Sequence, residues 1–162
     1  MKAKNIFSGF ISLPEIIGNQ KGKETAVTDK FSISYLKHSY WFNYSYKATI
    51  DQNGLLHITE NSGLNHLHRS ADYHIADNEV DLIKGKLLEV SSIDFNNNYG
   101  FGANKPTDLP VTFIKYDVDN KADATSIYFP EENELPEELN LFLSTFERII
   151  MDNDAFLKNN LQ

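Results

Sequence analysis

The stretch Phe42-Asn-Tyr-Ser-Tyr-Lys-Ala-Thr-Ile50, followed by Asp51-Gln-Asn-Gly54, decides the fold of this chain. Apolar and polar residues alternate from Phe42 to Ile50, with the period of two that is typical of an antiparallel strand with one buried face. The next four residues are turn formers ending in glycine, and Leu55 to Thr59 resumes the strand pattern. This segment therefore predicts a β-hairpin.

The rest of the chain supplies further strands and two helices. Three more β-rich runs extend the sheet: Phe31 to Leu36, Val111 to Tyr116 and Thr125 to Phe129. Apolar residues at helical spacing predict helices over 78–91 and 136–151. We therefore predict a single α+β domain, with an antiparallel sheet of about four to six strands and both helices packed on one face. Residues 1–30 are expected to be an irregular N-terminal segment, 31–151 the core and 152–162 a tail.

Composition and charge narrow the function classes. The 162 residues include no cysteine, which excludes disulfides, thiol nucleophiles and iron–sulfur clusters. The net charge is −8, and residues 117–138 contain eight acids and one base, Lys121. Such a surface repels nucleic acid and anionic membranes and favours a basic protein partner. The alternative is a solvated acidic face that only keeps the protein soluble.

An N-terminal apolar stretch bears on the compartment. Residues 6–17 follow Lys2 and Lys4 as in a signal peptide, but Pro14 and Glu15 interrupt the run and no small-residue cleavage site follows. We expect a cytoplasmic protein, or a periplasmic or secreted one if a signal peptide has been removed.

The histidines form the most enzyme-like pattern. His66 and His68 would point to the same side if they lay on one strand, with His57, His74 and Asp72 nearby. No established metal-binding spacing accompanies them. We expect an exposed polar loop here, with no metal ligand and no cofactor, although a metal site stays the alternative.

The loop over 95–110 is the main candidate for binding. It lacks the dinucleotide and Walker patterns but is longer than most connections, and such loops are often functional. Its rings, Tyr99 and Phe101, would anchor a partner if exposed, or would seal an end of the sheet if buried. Together with neighbouring acidic residues, these two rings form the predicted binding residues: Tyr99, Phe101, Asp108, Glu131, Glu132 and Glu134. We predict no catalytic residue.

A second aromatic run, Tyr40-Trp-Phe42, suggests a stacking surface for bases or sugars. Few basic residues are interleaved with these rings, so nucleic acid is not expected. We therefore expect most of these rings to lie in the core or on a sheet face, and a stacking surface is the alternative.

Several motifs together resemble a known type of domain. They are the strand and turn from Tyr44 to Gly54, a helix leading to Phe95, Tyr99 ahead of Thr107-Asp-Leu-Pro110, the strand from Thr112 to Tyr116, and a last helix that begins at proline. This order resembles a bacterial family of small α+β domains of unknown function with a ββα-ββα layout. The resemblance implies a fold and carries no known chemistry.

These observations favour a non-catalytic protein-binding module, of the kind that includes inhibitors and immunity-type proteins for a basic partner. A small-ligand-binding or structural domain is the first alternative, and a metal-dependent hydrolase is the second. The sequence leaves the oligomeric state open.

Overall fold

The alternating segment predicted from the sequence is a strand of a large β-sheet, and this strand begins at Tyr44 instead of Phe42. The computed structural model describes residues 30–160, except 65, 95, 96, 103, 107, 120, 129 and 131–133. Its strands are β1 (Phe31–Ser39), β2 (Tyr44–Asp51), β3 (Leu55–Ser62), β4 (Leu67–His74), β5 (Asn98–Tyr99), β6 (Val111–Val118) and β7 (Lys121–Ile127). Its helices are α1 (Asp77–Ser91), α2 (Glu137–Asn153) and α3 (Ala155–Asn160).

The seven strands form one sheet in the order β4-β3-β2-β1-β6-β7-β5. All neighbours are antiparallel except β5, which runs parallel to β7. The predicted α+β class and both long helices are confirmed. The sheet is larger than predicted and mixed instead of purely antiparallel.

The two unpredicted strands are β4 and β5. Residues 67–74 were expected to be an exposed polar loop, and that expectation is wrong because they pair with β3 along their whole length. Inward positions of β4 are only half-buried and include Arg69, so the strand lacks the apolar alternation that marks β2. The two residues of β5 are too few to show any period.

Helices α1 and α2 cover one face of the sheet and create the core. Inward strand residues such as Ile33, Ala48 and Ile58 are buried against apolar residues of the helices, including Phe142 and Phe146. The opposite face carries polar side chains such as Lys47 and Thr49 beside partly exposed apolar ones. Every helix in the described ranges is too short or too polar to cross a lipid bilayer.

Candidate functional site

The β1–β2 turn carries three exposed aromatic rings. The backbone N–H of Asn43 donates to the carbonyl of Tyr40 at 3.2 Å, and Asn43 takes a left-handed conformation with φ of 42°. This tight turn projects the intervening side chains away from the sheet. The exposed fractions are 86% for Tyr40, 68% for Trp41 and 47% for Phe42.

The loop after β5 brings a fourth ring to the same end. Tyr99 pairs with Ile127 in β7, and Gly100, with φ of 76°, turns the chain outward. The backbone N–H of Gly100 donates to Oε1 of Glu134 at 2.7 Å, which holds this turn. Phe101 is consequently 52% exposed, and its ring centre lies 5.6 Å from that of Tyr128.

A pocket of about 350 Å³ lies between the turn and the loop. Trp41 and Tyr40 line it from one side, Phe101 and Tyr128 from the other, and Lys105 also borders it. Two aromatic segments that are far apart in the sequence therefore share one site. We call Tyr40, Trp41, Phe42 and Phe101 the aromatic end.

The structure places the predicted binding residues in different surroundings. Tyr99 is 3% exposed, so its ring belongs to the core and seals the sheet, whereas Phe101 lies at the surface. Asp108 is exposed in the same loop, next to Leu109, which lines the pocket. Glu134 supports the loop through Gly100, and Glu131 and Glu132 lie outside the described residues.

The acidic segment 117–138 is divided between the two ends of the sheet. In the β1–β6 register, Val111 pairs with His38 near the aromatic end, whereas Val118 pairs with Phe31 at the opposite end. An eight-residue strand such as β6 is about 25 Å long. Asp117 therefore lies far from the pocket, whereas Glu134 lies beside it.

The histidines do not converge. His66 lies outside β4 with φ of 50°, and His68 makes a hydrogen bond with Asn61. His57 Nδ1 and Asp72 Oδ1 lie 2.5 Å apart in an exposed cross-strand pair. Within the ranges that the structure describes, no group of three or more His, Asp or Glu could hold a metal ion.

A buried ionic cluster was not predicted. Arg69 on β4 donates through Nη1 and Nη2 to the two carboxylate oxygens of Asp154, at 2.9 and 2.7 Å, and through Nε to Glu60 at 2.6 Å. The hydroxyls of Tyr46 and Tyr73 also donate to Asp154, each at 3.2 Å. Asp154 is fully buried although it lies in the expected tail.

The charged and hydroxyl groups of this cluster are paired with one another. Burial alone would raise the pKa of Asp154, but the hydrogen bonds and charge of Arg69 outweigh it and hold that pKa below its usual value. Burial, followed by the nearby Asp154 carboxylate, raises the pKa of Tyr46. Asp154 therefore stays ionised and Tyr46 neutral near neutral pH, and the contacts of the cluster join β3, β4 and the segment after α2. In the sequence, the cluster is indicated only by Glu60, an acidic residue that follows Leu56 and Ile58 at the inward positions of β3.

Comparison with known proteins adds no family assignment. A scan against protein-family models and a search of curated proteins found no match to this chain. The resemblance to a bacterial family of unknown function therefore stays a prediction, and function has to be argued from the site.

Proposed function

We propose that this chain is a non-catalytic protein-binding module whose partner is basic, and that the aromatic end is its contact surface. The observation that carries the proposal is the exposure of four large rings at one end of the sheet, between 47% and 86%. Aromatic side chains are enriched at the centres of protein interfaces, where their burial supplies much of the binding free energy.

The backbone that carries these rings is held by hydrogen bonds, which favours a surface that is ordered before the partner binds. The Asn43 turn and the Gly100–Glu134 hydrogen bond fix the backbone on both sides of the pocket. The contact between the rings of Phe101 and Tyr128 further limits the motion of Phe101. A surface that is ordered before binding loses less conformational entropy when the partner binds.

Charge supports a basic partner. The chain carries −8 overall, and Asp108 and Glu134 lie in or beside the pocket loop. Acidic groups near the aromatic end would accelerate encounter with a basic surface through long-range attraction. An inhibitor or immunity-type protein that masks a basic enzyme would use such an acidic surface to attract its partner.

The direct test is affinity capture from the native cell with the immobilised full chain. We expect one basic protein in stoichiometric amount, lost with the double variant Trp41→Ala/Phe101→Ala. Phe113→Ala is the matched control, because this ring is also 42% exposed but lies on the open sheet face. Capture that survives the double variant, or fails equally with the control, would contradict the proposed surface.

A small-molecule site is the second candidate, and the pocket volume favours it. A volume of about 350 Å³ lies at the lower end of the range for ligand sites, roughly 300 to 1,000 Å³. Trp41 is the only tryptophan in the chain, so its fluorescence reports on this pocket alone. A saturable change in that emission with a protein-free cell extract, without any captured protein, would favour this candidate over the first.

A further inference from the structure

The edge strand β4 offers a long surface for strand addition. It is the last strand in the sheet order, so no strand in the described part of the chain pairs with its outer edge. Its pairing with β3 continues without a bulge from Leu67 to His74, and these eight residues include neither lysine nor proline. Lysine, proline and a short strand are among the usual protections against strand addition; charged side chains are another, and β4 carries two, Arg69 on its inward side and Asp72 on its outward side.

The opposite edge is protected. Its last strand, β5, has only two residues, Asn98 and Tyr99. The first half of β7 beside it carries the exposed charges of Lys121 and Asp123. The contrast identifies β4 as the edge at which a further strand fits.

The inward charge of β4 does not block such pairing. An inward-pointing charge usually disfavours a second sheet, because strand addition would bury it without a partner. Here Arg69 already has two carboxylate partners in the same chain, Glu60 and Asp154, so strand addition would not bury an unpaired cation. The ring of Phe156 lies 4.5 Å from the Arg69 guanidinium and is 41% exposed, which leaves apolar surface at this edge.

We propose that β4 pairs antiparallel with β4 of a second copy of this chain, with the two-fold axis at Ser70. In an antiparallel pair of identical strands, the inward residues of both copies lie on the same side of the sheet only if one residue faces its own copy across the two-fold axis. Near the middle of β4 that residue is either Ser70 or Ala71. With the axis at Ser70, Arg69 lies opposite Ala71 and His68 lies opposite Asp72 of the second copy. With the axis at Ala71, His68 would instead lie opposite His74.

The resulting assembly is one continuous sheet across both copies. Because Arg69 would lie opposite Ala71 of the second copy, the small side chain leaves space beneath Phe156. This ring would then cover the junction on the inward face, which adds apolar burial to the backbone hydrogen bonds. The proposal concerns the sheet edge and does not depend on the aromatic end.

The first measurement is sedimentation velocity of the full chain over a concentration series. We expect a monomer–dimer equilibrium, and Ser70→Lys should raise the dimer dissociation constant about tenfold or more by placing like charges on the axis. Ser32→Lys is the matched control, since it adds the same charge at an exposed position on the central strand β1. A monomer at every concentration, or equal effects of both variants, would overturn the proposal.

The second measurement uses the absence of cysteine from the chain. Facing residues on antiparallel strands have Cα atoms roughly 4.5 to 5.5 Å apart, within the range that a disulfide bridges. Ser70→Cys should therefore cross-link to a dimer on mild oxidation, whereas Ser32→Cys should not. Cross-linking of Ala71→Cys in preference to Ser70→Cys would overturn the register, and equal cross-linking of the Ser32 control would overturn the contact.

Discussion

Arg69 and Asp154 form a two-point ion pair, with Nη1 to Oδ1 at 2.9 Å and Nη2 to Oδ2 at 2.7 Å. The pair joins the edge strand β4 to the start of α3, so it attaches the C-terminal segment to the sheet. Asp154 also accepts the backbone N–H of Phe156 at 3.0 Å and thereby begins α3. One carboxylate therefore organises both the start of α3 and the inner side of β4.

Removing that carboxylate should be strongly destabilising. Breaking a buried ion pair costs about 3 to 5 kcal/mol when no partner remains. Asp154→Ala leaves Arg69 with Glu60 and removes the acceptor of the Tyr46 and Tyr73 hydroxyls, so we expect a loss near the lower end of that range, about 3 kcal/mol. Chemical denaturation would measure the loss. Asp152→Ala is the control, because Asp152 is an exposed acid only two residues earlier, in the last turn of α2. A similar, small effect of both substitutions would show that the pair contributes little.

The Asp154 carboxylate should also make the free energy of unfolding depend on pH in the acidic range. The pKa of Asp154 is lower in the folded protein than in the unfolded chain, where it is about 3.9. Its contribution is therefore complete above about pH 4 and is lost as the pH falls through the lower, folded value. The free energy of unfolding of Asp154→Asn should thus fall less steeply below about pH 4 than that of the wild type. Parallel curves would contradict this account.

A half-buried tyrosine, Tyr44, and a buried one, Tyr116, should make the free energy of unfolding fall in alkali. Burial, with the nearby Glu60 carboxylate, raises the pKa of Tyr44 to about 12, and burial, with Asp123, raises the pKa of Tyr116 to about 12. Unfolded phenols ionise near pH 10, so the stability from these groups is present below about pH 10 and is lost as the pH rises towards 12.

Denaturation at about pH 9 and about pH 11 would measure that alkaline loss. Tyr44→Phe should reduce the loss, whereas Tyr40→Phe should not, because Tyr40 is 86% exposed. An equal loss in the two variants would show that the ionisation of Tyr44 is not coupled to folding.

The last long helix should be essential to the core. Phe146 is 1% exposed and packs against Tyr35 and Phe142, with ring centres 5.8 and 5.9 Å away. Phe146→Ala should destabilise the protein by about 3 to 5 kcal/mol and lower its melting temperature clearly. Leu141→Ala, at a position on the same helix that is 42% exposed, should change it little. Similar melting temperatures for Phe146→Ala and the wild type would mean that the buried face is assigned wrongly.

The parts of the fold that were predicted have strong periodicity. The strand from Tyr44 to Ile50 and the stripe of α2 show their buried faces directly in the sequence, whereas Phe42, predicted to begin that strand on its buried face, lies in the β1–β2 turn and is 47% exposed. By contrast, β4 is an edge strand whose inward side holds Arg69, so burial is incomplete and the polar pattern resembles a loop. Its partner Asp154 lies 85 residues away in the sequence, and no local pattern can reveal that pairing.

The candidate site shows the same limit. Phe101 was recognisable as a loop aromatic, whereas the Tyr40–Phe42 run was expected mostly in the core or on a sheet face, and its exposure on the β1–β2 turn was not predicted. Their convergence on one pocket depends on the order of β1, β6 and β7 in the sheet, which the sequence did not specify. The acidic segment was continuous in the sequence, yet the β6–β7 hairpin places its first half at the far end.

At the aromatic end, the charged residues should mainly affect the association rate of the partner, and the aromatic rings should mainly affect its dissociation rate. Trp41→Ala and Phe101→Ala remove buried contacts of the complex and should mainly speed dissociation of the captured basic partner. Asp108→Lys and Glu134→Gln should mainly slow association and weaken its salt dependence, because the charges act over a Debye length of about 8 Å at physiological salt. The glutamine keeps an oxygen that can accept from Gly100, so the loop is preserved.

Surface plasmon resonance at two salt concentrations would measure both rates. Asp117→Lys is the control for net charge, because it makes the same change as Asp108→Lys at the opposite end of the sheet. If Asp117→Lys slows association as much as Asp108→Lys does, attraction depends on total charge and not on the aromatic end. If none of the ring substitutions changes the dissociation rate while the fold is intact, the partner binds another surface.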